Sequence, residues 1–192
     1  MHGKSSMLYL DNAATTPLLP EVRKVMINYM VDNFGNPSSI YKIGRMNKIA
    51  VEEARKSIAK TIGACPDDIF FTSGGTESDN WVLESAAESA TESDSAHIIV
   101  SAIEHPAVIN KCIQLKKRGC DVDYIKTDKN GIINTDDLIS KIRDDTKLIS
   151  VMLVNNEIGT IQPVKNVCNI AAEYAIPVSY THLRAHETLA NL

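Results

Sequence analysis

Behind Pro20, a residue well placed near a helix start, apolar side chains return every three or four positions through Val22, Val25, Met26, Tyr29 and Met30, and the pattern closes before Asn33-Phe34-Gly35-Asn36-Pro37. That spacing predicts a first helix. A second is clearer: Met46, Ile49, Ala50, Ala54, Ile58 and Ile62 share one face, Lys48, Glu52, Glu53, Arg55, Lys56 and Lys60 mostly oppose them as a solvated face, and Gly63 supplies a stop. From Ile69 the pattern changes. Short apolar runs at 69–72, 97–101, 122–125 and 148–154 alternate with helical spacing after Gly75, from about Pro106, at 135–142 and at 164–174. This alternation predicts an α/β fold, and the nearly continuous hydrophobic runs predict a mainly parallel sheet with helices on both faces. Ligands bind such sheets beyond the carboxyl ends of the strands. The segments 73–76, 102–105 and 155–159 each follow a strand end and are therefore expected on one rim.

The first of these is rich in chemistry. Thr72-Ser73-Gly74-Gly75-Thr76-Glu77-Ser78-Asp79-Asn80 follows the apolar Ile69-Phe70-Phe71 and opens a helix that runs through Trp81-Val82-Leu83 and Ala86-Ala87. Unpaired N–H groups and the positive end of the helix dipole favour an anion at such a start, and small residues let a phosphate approach. Gly74 and Gly75 clear the space, Thr76 adds a hydroxyl, and Glu77 suits the first turn; the alternative is an ordinary capped helix after a strand. Neither G-x-G-x-x-G nor G-x-x-x-x-G-K-[ST] is present at this loop, which disfavours a nucleotide fold. Further on, the small, acidic stretch 84–95 reads as a helix end running into an exposed loop.

Composition narrows the classes. The chain has 192 residues, 44% of them hydrophobic, enough for a sizeable core. Lys+Arg 20 against Asp+Glu 24 leaves a net charge of -4, which argues against a partner made of nucleic acid. The polar start Met1-His2-Gly3-Lys4-Ser5-Ser6 lacks the apolar core of a leader, and nothing approaches the ~18 apolar residues of a membrane span, so a cytoplasmic protein with no membrane partner is expected. Cys65, Cys112, Cys120 and Cys168 form no C-x-x-C and no paired Cys/His spacing, so reduced thiols and no metal are expected, with Cys112 and Cys168 packed as small hydrophobes.

Two more rim segments carry candidate residues. Ser101-Ala102-Ile103-Glu104-His105-Pro106 sets a histidine between a strand end and a helix-starting proline, where an imidazole can stack on a planar ring or shuttle a proton near neutral pH. Val154-Asn155-Asn156-Glu157-Ile158-Gly159 follows a strand of hydrophobes, and packing alone does not account for two adjacent amides; at least one is expected to meet a ligand.

These segments, with Tyr9-Leu10-Asp11-Asn12-Ala13-Ala14-Thr15-Thr16-Pro17 and Phe34-Gly35-Asn36-Pro37-Ser38-Ser39, resemble in order the successive signatures of cysteine desulfurases. Those are pyridoxal 5'-phosphate enzymes of fold type I in the class V aminotransferase group, and the resemblance covers about residues 8–178. It implies that Gly75 and Thr76 bind the cofactor phosphate, that His105 stacks on the pyridine ring and assists proton transfer as a catalytic residue, and that Asn156 hydrogen-bonds the ring hydroxyl or the substrate side of the ring while Asn155 supports the loop. It also implies removal of sulfur from L-cysteine: a lysine holds the cofactor, an enzyme thiolate takes the sulfur, and L-alanine and an enzyme persulfide result. A homodimer and a sulfur-acceptor protein such as an iron–sulfur scaffold are the implied partners. Another class V enzyme, a selenocysteine lyase or an aminotransferase, would share much of this pattern, although Glu104-His105 with Asn155-Asn156-Glu157 favours the desulfurase. The third possibility is a non-catalytic fragment that pairs with a full-length subunit.

The chain departs from the family after Ala175-Ile176-Pro177-Val178. There the family continues with a strand bearing an Asp and, three residues on, a Gln; here that strand is expected to be missing, with Thr181 and Arg184 in those places. No lysine follows Lys165, and the persulfide cysteine and substrate-binding arginine have no counterpart. Residues 1–178 are thus expected to form a truncated transferase domain and 179–192 a tail foreign to the family, leaving this polypeptide inactive by itself. His182 and His186 have a helical metal-ligand spacing but no acidic partner, and no metal is expected there.

Overall fold

The computed structural model describes residues 8–12, 15–89 and 96–180, which fall into two units, Met1–Phe71 and Thr72–Leu192. In the first, α1 spans Pro20–Val31 with its proline at the start, and α2 spans Lys42–Ile62. Gly63 ends α2 with φ 71, a left-handed conformation that glycine adopts without strain. The buried Asn47 of α2 donates to the carbonyls of Asn33 (2.6 Å) and Gly35, tying the preceding loop to the helix. Gly44 permits that closeness: a Cβ there would stand 2.6 Å from the carbonyl oxygens of Asn36 and Ser39.

One expected strand does not form. After a short 3-10 turn at Pro66–Asp68, residues 69–72 run outside the sheet, with Phe70 67% and Phe71 51% exposed. An apolar run becomes a strand only if a neighbour completes its hydrogen-bond ladder. Here Arg55 of α2 holds the segment instead, bonding the Ile69 carbonyl and lying 4.9 Å from the Phe71 ring centre.

The second unit is the parallel sheet the alternation predicts. It comprises α3 (Gly75–Glu88), β1 (His97–Ser101), α4 (Pro106–Lys117), β2 (Asp121–Ile125), α5 (Thr135–Lys141), β3 (Thr146–Ser150), α6 (Val164–Glu173) and β4 (Val178–Ser179). Strand order is β2-β1-β3-β4, every pair parallel. Alternate residues of the strands face opposite ways. Ile98, Val100, Val122 and Leu148 therefore join Leu83 of α3 and Val108, Cys112 and Leu115 of α4 on one face, while Ile99, Ile125 and Ile149 join Leu138 of α5 and Val167 and Ala171 of α6 on the other. Both faces are covered, and apolar strand residues are therefore buried on each of them, with Ile98 and Val100 on one and Ile99 on the other.

Two strand limits differ from expectation. β3 ends at Ser150 rather than at 154; Val151 still donates its N–H to the Ser179 carbonyl (3.0 Å), and the chain beyond it builds the following turn. Beyond Ile176 the missing strand does begin: Val178 and Ser179 pair with Ile149 and Ser150, because ladder hydrogen bonds use the main chain and are indifferent to the side chains that follow. The rest of the expected foreign tail, apart from Tyr180, lies outside the described residues, as do Thr181, Arg184, His182 and His186.

Ile99 is fully buried in the central strand. Ile99→Ala should lower the free energy of unfolding by about 2–5 kcal/mol, read as an earlier urea midpoint at unchanged slope.

Candidate functional site

The winding of the sheet decides where a ligand can enter. From β1 the chain passes through α4 outward to β2; it then returns through α5 to β3 and proceeds through α6 to β4 in the opposite direction. The segments leaving β1 and β3 thus diverge above adjacent strands, onto opposite faces, the arrangement that in open α/β sheets places ligands at the carboxyl edge. Those two segments carry His105 and Asn156.

Their geometry follows from local hydrogen bonding. Pro106 starts α4, and His105 caps it: Nδ1 accepts the N–H of Ala107 at 3.1 Å. A ring nitrogen that accepts cannot carry a proton, so the neutral imidazole of half-buried His105 presents N–H at Nε2. Asn155, buried, organises the other turn. Its Oδ1 accepts the N–H groups of Glu157 (2.9 Å) and Ile158 (3.0 Å), and its Nδ2 donates to the carbonyl of Ile103 (3.0 Å), bonding the β3 turn to the β1 turn. Asn156, its neighbour, is left exposed at the tip.

Glu104 makes the second bridge. It is 7% exposed, and Oε1 accepts the Met152 N–H while Oε2 is buried with no hydrogen-bond partner among the described residues. Burial, opposed by that bond and reinforced by the negative Asp79 of α3, pushes its pKa from 4.5 up to about 7. The influence of Asp79 also shows that the early turns of α3 reach the same end of the sheet.

At the start of α3, no side chain caps the helix, and Gly75 and Thr76 are exposed. Glu77 folds back instead, accepting the Ser73 hydroxyl and the Ser73 N–H (2.6 Å), and these bonds hold its pKa below the ordinary value, the hydroxyl first. A Cβ on Gly74 would meet nothing within 4 Å, so the approach to these amides is open. Two thiols are made poorer nucleophiles by their surroundings: burial pushes Cys112 up to about 12 and raises Cys120. Among the described residues no cluster of His, Cys, Asp and Glu could hold a metal, and no helix is long and apolar enough to cross a membrane.

The description aminotransferase class-V matches residues 8–179. The chain belongs to that family. It is 48% identical to a protein named cysteine desulfurase IscS from Methanosarcina thermophila over 98% of this chain and 46% of that protein, and 47% identical to one of the same name from Dictyoglomus turgidum (strain DSM 6724 / Z-1310) over 96% and 46%. It therefore spans about half the length of these curated relatives. Among solved structures it resembles a NifS-like protein, with a TM-score of 0.85 and 38% identity over 88% of this chain and 47% of that one, and, with the same score and identity over 90% and 49%, a structure described as SspA in complex with cysteine. Its sheet and helices are those of the fold type I enzymes.

Within this class-V chain the tertiary structure adds residues that patterning passed over. The motifs holding Glu104 and Asp79 assign neither a role; a carboxylate placed between a buried strand and a helix-starting proline is the available signal for the first, and nothing in the spacing signals the second.

Two outcomes follow. Asn155→Ala removes an acceptor of two N–H groups and should cost about 1–3 kcal/mol, with faster amide exchange at Glu157 and Ile158 than in the strands. Because the folded pKa of Glu104 is raised, the folded chain keeps a proton that the unfolded chain releases, so this group's contribution to stability falls as pH rises from about 4.5 to about 7. The wild type should lose up to about 3 kcal/mol over that window relative to Glu104→Gln, measured by urea unfolding at several pH values.

Proposed function

We propose that this chain contributes the phosphate loop, ring-stacking histidine and asparagine turn of a pyridoxal 5'-phosphate-dependent cysteine desulfurase, and that the observation carrying this reading is the uncapped α3 start sharing the carboxyl edge of the sheet with the His105 and Asn155 turns. The donor set suits the group: unpaired amides and the Thr76 hydroxyl for a dianionic phosphate, a flat half-buried ring for a pyridine, and an exposed amide at Asn156 for a ring hydroxyl or the substrate side. When bound, that cofactor supplies an electron sink for bond changes at an amino acid's α-carbon.

The chain's own residues then have separate tasks. Gly75 and Thr76 grip the phosphate from the positive end of α3. His105 offers its ring face for stacking and its Nε2–H for donation, its Nδ1 being held by the Ala107 N–H. Asn155 holds the turn so that Asn156 meets the ligand without rearranging. The substrate we assign is L-cysteine, in keeping with the cysteine bound in the similar SspA structure. Transfer of its sulfur to an acceptor protein, within a homodimer, belongs to the same reading. A cytoplasmic setting agrees with four free cysteines.

The test uses the lone tryptophan, Trp81, which lies on α3 beyond the proposed phosphate grip. Titration with pyridoxal phosphate should quench its fluorescence saturably, inorganic phosphate should compete, and Thr76→Ala should weaken binding by about tenfold, the loss of one hydrogen bond to a charged group. Added L-cysteine should alter the absorption of the bound cofactor more than L-alanine does. A linear response, or one that Thr76→Ala leaves unchanged, would sink the assignment.

A further inference from the structure

Glu104 is the buried titratable group for which the proposed chemistry has no use, yet two connections across the switch point pass through its turn. Its own Oε1 takes the Met152 N–H, and the carbonyl of the preceding Ile103 takes the Asn155 amide. The next residue, His105, caps α4. A charged carboxylate is poorly served here: one oxygen has a single hydrogen bond and the other is dry and unpartnered among the described residues. The titratable groups facing it are Asp79 from α3, which disfavours a second negative charge, and the Cys112 thiol of α4, kept neutral by a pKa of about 12; the segment after β3 meets it with the Met152 N–H, and His105 adjoins it in its own turn.

We propose that Glu104 is a positioning residue whose neutral carboxyl clamps the His105 turn to the Asn155 turn, and that loss of its proton loosens the clamp. Ionisation strengthens the bond to Met152 but leaves the second oxygen charged without solvation. Opening the crevice to water relieves that charge, and the same opening moves His105 and Asn156 apart. The mechanical part rests only on the geometry; its consequence for the cofactor rests on the reading in the preceding section.

The test is an amide NMR titration of the full 192-residue chain from about pH 5 to about pH 9, bracketing the midpoint of about 7. Met152, Asn155 and Glu157 should shift together with a midpoint near 7, and Glu104→Gln, neutral throughout, should hold the low-pH positions across the range. The wild-type experiment needs no variant: absence of a common step near 7 overturns the clamp. Persistence of the step in Glu104→Gln overturns it too, by assigning the step to another group. Pyridoxal phosphate affinity supplies the second readout, with the ratio of wild type to Glu104→Gln cancelling the ligand's own ionisation. That ratio should be near one at the acid end and fall by about tenfold at the alkaline end. A pH-independent ratio alongside measurable binding overturns the functional consequence. If neither protein binds the cofactor while the amide step is present and absent as expected, the clamp stands and the cofactor assignment falls.

Discussion

The parallel pairing of β1 with β3 is the constraint on which the rest of the second unit depends. Because the chain leaves these neighbours in opposite directions, the helices that follow them must lie on opposite faces, and the two connecting turns separate above the sheet. A gap there follows from connectivity alone. Two side chains bridge the turns: Asn155 donates to the Ile103 carbonyl, and Glu104 accepts the Met152 N–H.

That arrangement explains an unusual division of polar residues. The strands spend nearly all their side chains on two apolar faces, so polar groups with chemistry to offer are confined to the residues just past the strand ends. Some of these are buried to build the turns, and their neighbours are thereby held outward. Asn155 and Asn156 illustrate the split: adjacent and identical, one satisfies backbone groups and the other is presented to solvent. Glu104 and His105 divide in the same way, the carboxyl inward and the imidazole half-exposed as a helix cap.

Much of this was legible in the order of residues. Helices α2, α4, α5 and α6 follow their apolar spacing within a residue or a few, since an amphipathic helix has one stable way to bury its stripe. The apolar runs at 97–101, 122–125 and 148–154 mark three strands without reference to their partners, although the third strand forms at 146–150. Residues 69–72 look the same by that measure and do not form a strand, because a strand is completed by its neighbours and not by its own side chains. The short β4 shows the converse, pairing through main-chain groups where the motif pattern ends.

The order of residues carries the alternation of elements, the glycine-rich helix start, the histidine and asparagine motifs, and membership of the aminotransferase class-V family. These depend on local periodicity and on residue identity, both written along the chain. Folding alone buries Glu104 with one oxygen unpaired among the described residues, brings Asp79 to act on it from another helix, and commits His105 Nδ1 to Ala107. Burial and charge coupling join residues distant in sequence, and their strength depends on the dielectric surroundings that only packing creates.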